Sequence, residues 1–381
     1  MRGCLVWVII ALILCSPVIF WIVWGTQSVK PVSLLVIDKS VLDMERTSHA
    51  GLFYMLAHGK YRHANGKPYS ADQDYYGFFP LDKQGNYMVR KLTGLAEEDV
   101  DSIYNQSQAM MIVDARGVRH DRWVRGRTND ETSPFLDGGL NEADINLITR
   151  MREHGKPVII ESMAFSPAQT FEDRQWEESV LGVEWSGWQC FCFNELAVDI
   201  NVDIPHRWVQ RYEEQNGTGW RFKGPGIVMV NDIEEVHVLA TGTDIVQPYP
   251  TIRTDASIGA QYKLPDRVPY FGSFEIVYPK EPDMRVVSRF EMNLTPRGDS
   301  LFNELKLPKS FPAVITGQKV TFIAGDFSNV QVPEWTTQVD QADKIMLFLR
   351  RFAGKPDPHD AGRFFWTYTY PLMTKVLRDN L

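Results

Sequence analysis

The soluble part of this sequence is nearly without cysteine. Four are present in 381 residues, and Cys4 and Cys15 fall inside an apolar N-terminal run, which leaves Cys190 and Cys192. One residue separates this pair, an awkward spacing for a disulfide, because alternate strand side chains point the same way but lie too far apart. No further Cys or His stands near them at a metal-ligand spacing. Disulfide scaffolding is set aside, and neither a metal nor a cofactor is expected. An excess of basic charge is missing too: 40 Lys and Arg face 48 Asp and Glu, a net charge of −8. No nucleic-acid partner is expected, since that role needs a basic face to displace counterions. Familiar catalytic templates also fail. The chain has no G-x-S-x-G elbow, Walker loop, G-x-G-x-x-G turn or H-E-x-x-H pair.

What is present begins with a long uncharged run. From Gly3 to Trp24, 22 residues carry no charge. At about 1.5 Å per residue they cross a hydrocarbon layer of about 30 Å. Trp21 and Trp24 suit the outer interface, and Arg2 before the run places the N-terminus in the cytoplasm. The run is longer than the apolar core of a cleaved signal and lacks its small-x-small exit. A lipoprotein signal at Cys15 would want a small residue where Leu14 stands. The expectation is a single-pass anchor in the cell membrane over residues 1–25, spanning at 3–24. A linker follows over 26–31, with the bulk of the chain extracytoplasmic.

Four short runs are apolar throughout: VSLLVI (Val32 to Ile37), AMMIV (Ala109 to Val113), PVII (Pro157 to Ile160) and VTFIA (Val320 to Ala324). Parallel strands buried on both faces read this way. Helical patterns lie between them. Asn141 and Asp144 form a capping box, with Gly155 as the stop. Thr170 and Asp173 open another helix that ends at Gly182, and Gly94 to Tyr104 is a third. This alternation implies βαβ units, an α/β parallel sheet with helices on both faces over residues 32–205. Beyond about Val183 the segments GIVMV, EEVHVLATG, FGSFEIVYP and MRVVSRFEMNL are strand-like, separated by turns. They predict a β-rich second half over residues 206–381, with C-terminal helices that include Ala342 to Phe352.

Each apolar run ends in a carboxylate: Asp38, Asp114, Glu161 and Asp326. In open parallel sheets, ligands bind outside the carboxyl ends of the strands, where the strand order reverses. Asp326 is the least secure member, because an antiparallel strand would point it elsewhere. Four acids on one rim repel unless a cation, a ligand or raised pKa values offset the charge. Asp is also simply a common first loop residue. After Asp114 comes ARGVRHDRWVRGR, with Arg116, Arg119, Arg122, Arg125 and Arg127. Guanidinium forks suit carboxylate or phosphate, although Asp121, Asp130 and Glu131 stand ready to pair with them. After Asp38 come His49 and the aromatics Tyr75, Tyr76, Phe78 and Phe79. Aromatic faces beside carboxylates suit sugar binding and core packing alike.

The stretch GGLNEADINLITRMREHGKPVIIESMAF (Gly138 to Phe165) resembles the class I glutamine amidotransferase-like superfamily, over residues 32 to 185. The resemblance implies a flavodoxin-like sheet. In that family a Cys occupies the turn after this strand; here Ser162 stands there, preceded by Glu161. The glycine pattern of the elbow is absent, and no His-x-Glu pair follows. These departures argue against glutamine hydrolysis and point to the non-amidotransferase, membrane-anchored branch. The expectation is a protein that binds or helps assemble a cell-envelope saccharide or anionic polymer. Asp38, Asp114 and Glu161 form its centre, with Ser162, Arg116, Arg119, His49, Tyr75 and Asp326 as ligand contacts. One alternative is a glycosidase-like hydrolase using two of the carboxylates as acid and base or nucleophile. Another is a structural partner of a second membrane protein, suggested by the aromatic RFFWTYTYPLMTKVL (Arg363 to Leu377), which reads equally as the last packed segment.

Overall fold

This computed structural model describes residues 17–82, 85–125, 133–352 and 357–381. Residues 3–16 of the expected anchor lie outside them, as do Arg127, Asp130 and Glu131. Residues 17–26 form helix α1, and no helix among the described residues is long and apolar enough to cross a membrane. The segment expected as a linker is tied down: Lys60 Nζ donates to the carbonyls of Gly25 and Gln27 at 2.8 and 2.7 Å.

Strand β1 (Leu34–Asp38) leads through α2 (Thr47–His58) to β2 (Tyr76–Pro80), which turns back into β3 (Tyr87–Arg90). Helix α3 (Glu97–Gln106) precedes β4 (Ala109–Asp114), and α4 (Glu142–Glu153) precedes β5 (Val158–Glu161) and α5 (Phe171–Leu181). The caps are those the sequence announces. Asn141 and Asp144 close a reciprocal box, Thr170 accepts from the Asp173 N–H, and Gly182 takes the left-handed φ of 69°.

The chain next forms β6 (Val183–Phe193), α6 (His206–Asn216), β7 (Gly226–Asn231), β8 (Val236–Ala240), β9 (Thr251–Arg253), β10 (Arg267–Pro269), β11 (Ser273–Pro279), β12 (Arg285–Glu291) and β13 (Ser310–Gly317). Only then comes β14 (Val320–Ile323), followed by α7 (Ala342–Arg350) and α8 (Tyr370–Asn380).

Two sheets matter for the site. The larger has the order β10-β9-β12-β13-β14-β5-β4-β1-β2-β3. Its middle strands, β14, β5, β4, β1 and β2, pair in parallel. Every residue of β1, β4, β5 and β14 is buried, as their unbroken apolar runs require. Counted in chain order, these parallel strands lie 2-1-3-4-5, a doubly wound arrangement whose switch point falls between β1 and β4. At the β1 end, β2 approaches so closely that a Cβ on Gly77 (φ 131°) would stand 1.8 Å from the Asp38 carbonyl oxygen. The smaller sheet has the order β8-β7-β6-β11. Its strands pack with α6 through a second apolar cluster that includes Met163, Phe191, Trp208 and Val228.

The boundary expected between residues 205 and 206 does not divide the structure. The smaller sheet takes β6 from before it and β7, β8 and β11 from after it, and β9, β10, β12, β13 and β14 extend the main sheet itself. The β-rich part is thus largely an insertion ahead of the last parallel strand, not an appended half. The C-terminal aromatic stretch is packed: Phe365, Trp366 and Tyr368 are buried, and Tyr54 meets the first two edge-on.

Candidate functional site

Because β1, β4, β5 and β14 are parallel neighbours, Asp38, Asp114, Glu161 and Asp326 do share the carboxyl edge of the sheet. Asp38 stands in register with Asp114. Their side chains, however, do different things. Asp38 is wholly buried. Its Oδ1 accepts the Ser40 N–H and hydroxyl, both at 2.9 Å, and its Oδ2 accepts Ser48 Oγ at 2.6 Å and His49 Nδ1 at 2.8 Å. His49 Nε2 lies 3.0 Å from the Ala71 carbonyl. Both ring nitrogens thus lie within hydrogen-bond distance of an oxygen acceptor. Burial alone would raise the Asp38 carboxyl; the hydrogen bond and charge of His49, with the serine donors, outweigh it and hold it below its ordinary value.

Glu161 is also wholly buried and binds the loop after β14. It accepts the Ser328 hydroxyl at 2.6 Å and the Ser328 N–H. Burial pushes its acid up to about 8, so it is protonated at neutral pH. Asp114 sits under Arg116, which donates its backbone N–H at 2.7 Å and its guanidinium at 3.0 Å. Burial drives Asp114 up to about 7 against the pull of Arg116. Asp326 is half-buried and accepts Asn329 Nδ2 at 2.9 Å. It lines a separate recess of about 170 Å³ with Tyr270 and Phe364. No group of three or more His, Cys, Asp and Glu among the described residues could hold a metal ion. The charge of the rim is offset from within, by His49, by Arg116 and by a proton on Glu161.

Above the switch point lies a cleft of about 600 Å³. One wall is the loop after β1, with Ser40 and Leu42, and the loop after β4, with Arg116, Gly117, Arg119 and Arg122. Gly117 (φ 93°) is required there, since a Cβ would stand 2.5 Å from the Asp137 carbonyl oxygen. The other wall comes from the insertion: Phe191 and Phe193 of β6, Asp203 ahead of α6, and His206, Arg207, Trp208 and Glu213 on it. The Arg116 guanidinium lies 6.0 Å from the centre of the Phe191 ring, and that of Arg119 stacks 4.0 Å over Phe135. Glu234, in the turn between β7 and β8, ties the walls together. Its Oε1 is 3.0 Å from Arg207 and 3.8 Å from Arg119.

The turn after β5 keeps an unusual backbone, with Ser162 at φ 53° and Met163 at φ 34°. Non-glycine residues take that region at a cost of about 1–2 kcal/mol. Yet Ser162 Oγ is buried and has no hydrogen-bond partner among the described residues. A hydroxyl with no adjacent base and no path to solvent is not an activated nucleophile. Beneath the turn the Ala164 N–H donates to the buried Glu275 carboxyl at 3.3 Å, and burial lifts that acid up to about 8.

The structure therefore redistributes the expected contacts. Arg116 and Arg119 line the cleft. Asp114 backs it, one layer down. His49 and Tyr75 are buried, packed ring against ring at 4.7 Å, because the Asp38 carboxylate draws His49 into the core. Ser162, Asp38 and Glu161 are shut inside, and Asp326 faces elsewhere. Sequence reasoning missed the wall from Asp203 to Glu213, although Trp208 beside Arg207 is a signal that could have been weighed. It also missed Lys39, buried between the Gly139 carbonyl at 2.7 Å and Asp144 at 2.5 Å.

No family model matches this sequence, and no curated protein matches it. A solved structure of a glutamine amidotransferase from Thermotoga maritima aligns over 92% of this chain and 98% of its own, with 11% identity and a TM-score of 0.37. A likeness at that level concerns the fold at most and carries no inference about chemistry.

Proposed function

We propose that this chain is a membrane-anchored, extracytoplasmic binding protein whose cleft takes an acidic saccharide segment of the cell envelope. One observation carries the reading. Arg116, Arg119, Arg122 and Arg207 converge on a single cleft walled by Phe135, Phe191, Phe193 and Trp208, with Asp203 and Glu213 as the acids among the described residues of its lining and Glu234 paired behind Arg119 and Arg207. Guanidinium forks suit carboxylate or phosphate groups, and ring faces suit the C–H surfaces of a sugar. The cleft lies at the switch point, where doubly wound sheets accept ligands. The anchor is supported by the uncharged run from Gly3 to Trp24 behind Arg2. Hydrolysis by the rim acids is disfavoured, since a glycosidase needs two carboxyl groups flanking an open site and Asp38 and Glu161 are closed off.

The test is calorimetric titration of the full chain with a uronic acid oligosaccharide and with its carboxyl-reduced, neutral counterpart. The acidic form should bind at least about tenfold more tightly, a margin that one or two charge-assisted hydrogen bonds provide. Arg116→Ala and Arg207→Ala should each erode the margin. Equal binding of the two forms, or of neither, would refute the reading.

A further inference from the structure

The geometry points to α7 as a second membrane contact, lying in the headgroup layer of the bilayer that holds the N-terminus; this rests on the anchor reading above. The end of the uncharged run is bound to the folded body of the chain. Asp340 N donates to the Phe20 carbonyl at 3.2 Å, Trp21 Nε1 to Gln338 Oε1 at 3.2 Å, and Gln27 Nε2 to Asp340 Oδ1 at 2.8 Å. Trp24 Nε1 donates to the His58 carbonyl at 2.8 Å, and Lys60 Nζ stands 4.5 Å over the Trp24 ring. An aspartate and an ammonium at this level mark the boundary between lipid and water, the layer that indoles favour. The turn at 338–340 is thus held at the membrane surface, and α7 begins two residues later.

Helix α7 turns Ala342 and Met346 into the core. On its opposite side stand Lys344 and Phe348, and Phe352 follows two residues past the end of the helix. Phe348 is 56% exposed, Phe352 76% and Leu349 48%, and the two phenyl rings touch at 5.1 Å. Arg351 is exposed among them, and Trp335, just upstream, is 55% exposed. Large apolar side chains facing outward among basic residues are the pattern of a helix that lies in a membrane interface. A phospholipid surface covers the patch, because the tie to α1 fixes it at bilayer height whatever else the protein binds. Tethering also makes the second contact intramolecular, so a weak interface suffices.

The test uses the full chain reconstituted in phospholipid vesicles that contain lipids with a nitroxide in the upper acyl chain. A fluorescent label is placed at position 12, 348 or 352 in turn. Labels at all three positions should lose roughly half their fluorescence, as expected for side chains in or near the acyl boundary. Quenching at 12 without quenching at 348 and 352 overturns this inference and leaves the anchor standing. In that outcome a second copy or another protein covers the patch, or nothing does. Absence of quenching at 12 overturns the anchor and this inference with it.

Discussion

Asp114 receives two hydrogen bonds from one residue, Arg116: the backbone N–H at 2.7 Å and the guanidinium at 3.0 Å. Arg116 also lines the cleft, with 35% of its side chain open. The buried acid is therefore the internal competitor of any anion that this guanidinium would hold.

That competition predicts a pH dependence. Burial, with Asp326 and Asp38 adding repulsion, places Asp114 at about 7 despite Arg116. Below that pH the acid is protonated and Arg116 loses its counter-charge. Affinity for a uronic acid oligosaccharide, still ionised at pH 6, should then be about tenfold higher at pH 6 than at pH 8, the equivalent of one pKa unit of coupling. Asp114→Asn should flatten the profile at the higher affinity. A profile with the opposite slope would show that Asp114 orients Arg116 toward the ligand instead of withholding it.

Stability should show its own pH dependence. Glu161 and Glu275 are raised to about 8 and Asp114 to about 7, whereas unfolded carboxyls titrate near ~4. Between those values the folded chain keeps protons that the unfolded chain has released, so stability falls as pH rises through the window. The urea midpoint should be higher at pH 5.5 than at pH 8.5. Glu161→Gln keeps an acceptor for Ser328 without the charge. It should match the parent at pH 5.5 and exceed it at pH 8.5. Lower stability than the parent at pH 8.5 would mean that Glu161 is used ionised.

Much of the parallel sheet was legible because unbroken apolar runs such as Ala109 to Val113 are what two covered faces demand. So was the shared edge, since parallel strands bring their ends together. Which way each side chain turns at that edge was not legible. A single register shift between Ile37 and Asp38 and one serine at position 328 decide whether an acid faces solvent or a loop, and neither leaves a periodic trace. Arg116 and Arg119 stood out because their cluster is local. The wall with Arg207 and Trp208 is separated from them by some ninety residues, brought over by the insertion between β5 and β14, and no pattern in the chain encodes that closure.

The pairing of Asp38 with His49 separates a structural role from a binding role. Asp38 accepts four hydrogen bonds and is wholly buried, and His49 beside it is equally enclosed. The Asp38 carboxyl is held below its ordinary value. Its stabilising contribution is therefore present above the ordinary carboxylate range and lost as pH falls through the lowered value. At neutral pH it is at full strength. Asp38→Asn takes from the buried His49 ring the carboxylate that holds it, and His49→Ala leaves the buried carboxylate without that partner. Either should cost about 3–5 kcal/mol in urea unfolding, the range for breaking one side of a buried pair. The double variant should cost less than the sum, because the two effects share one interaction. Neither side chain reaches the cleft, so the folded fraction of each variant should bind the acidic oligosaccharide within about threefold of the parent, as expected for changes that touch no ligand atom. A variant at Asp38 that folds with parental stability and no longer binds would instead make this acid a ligand contact, reached through an opening of the loop that carries Ser40.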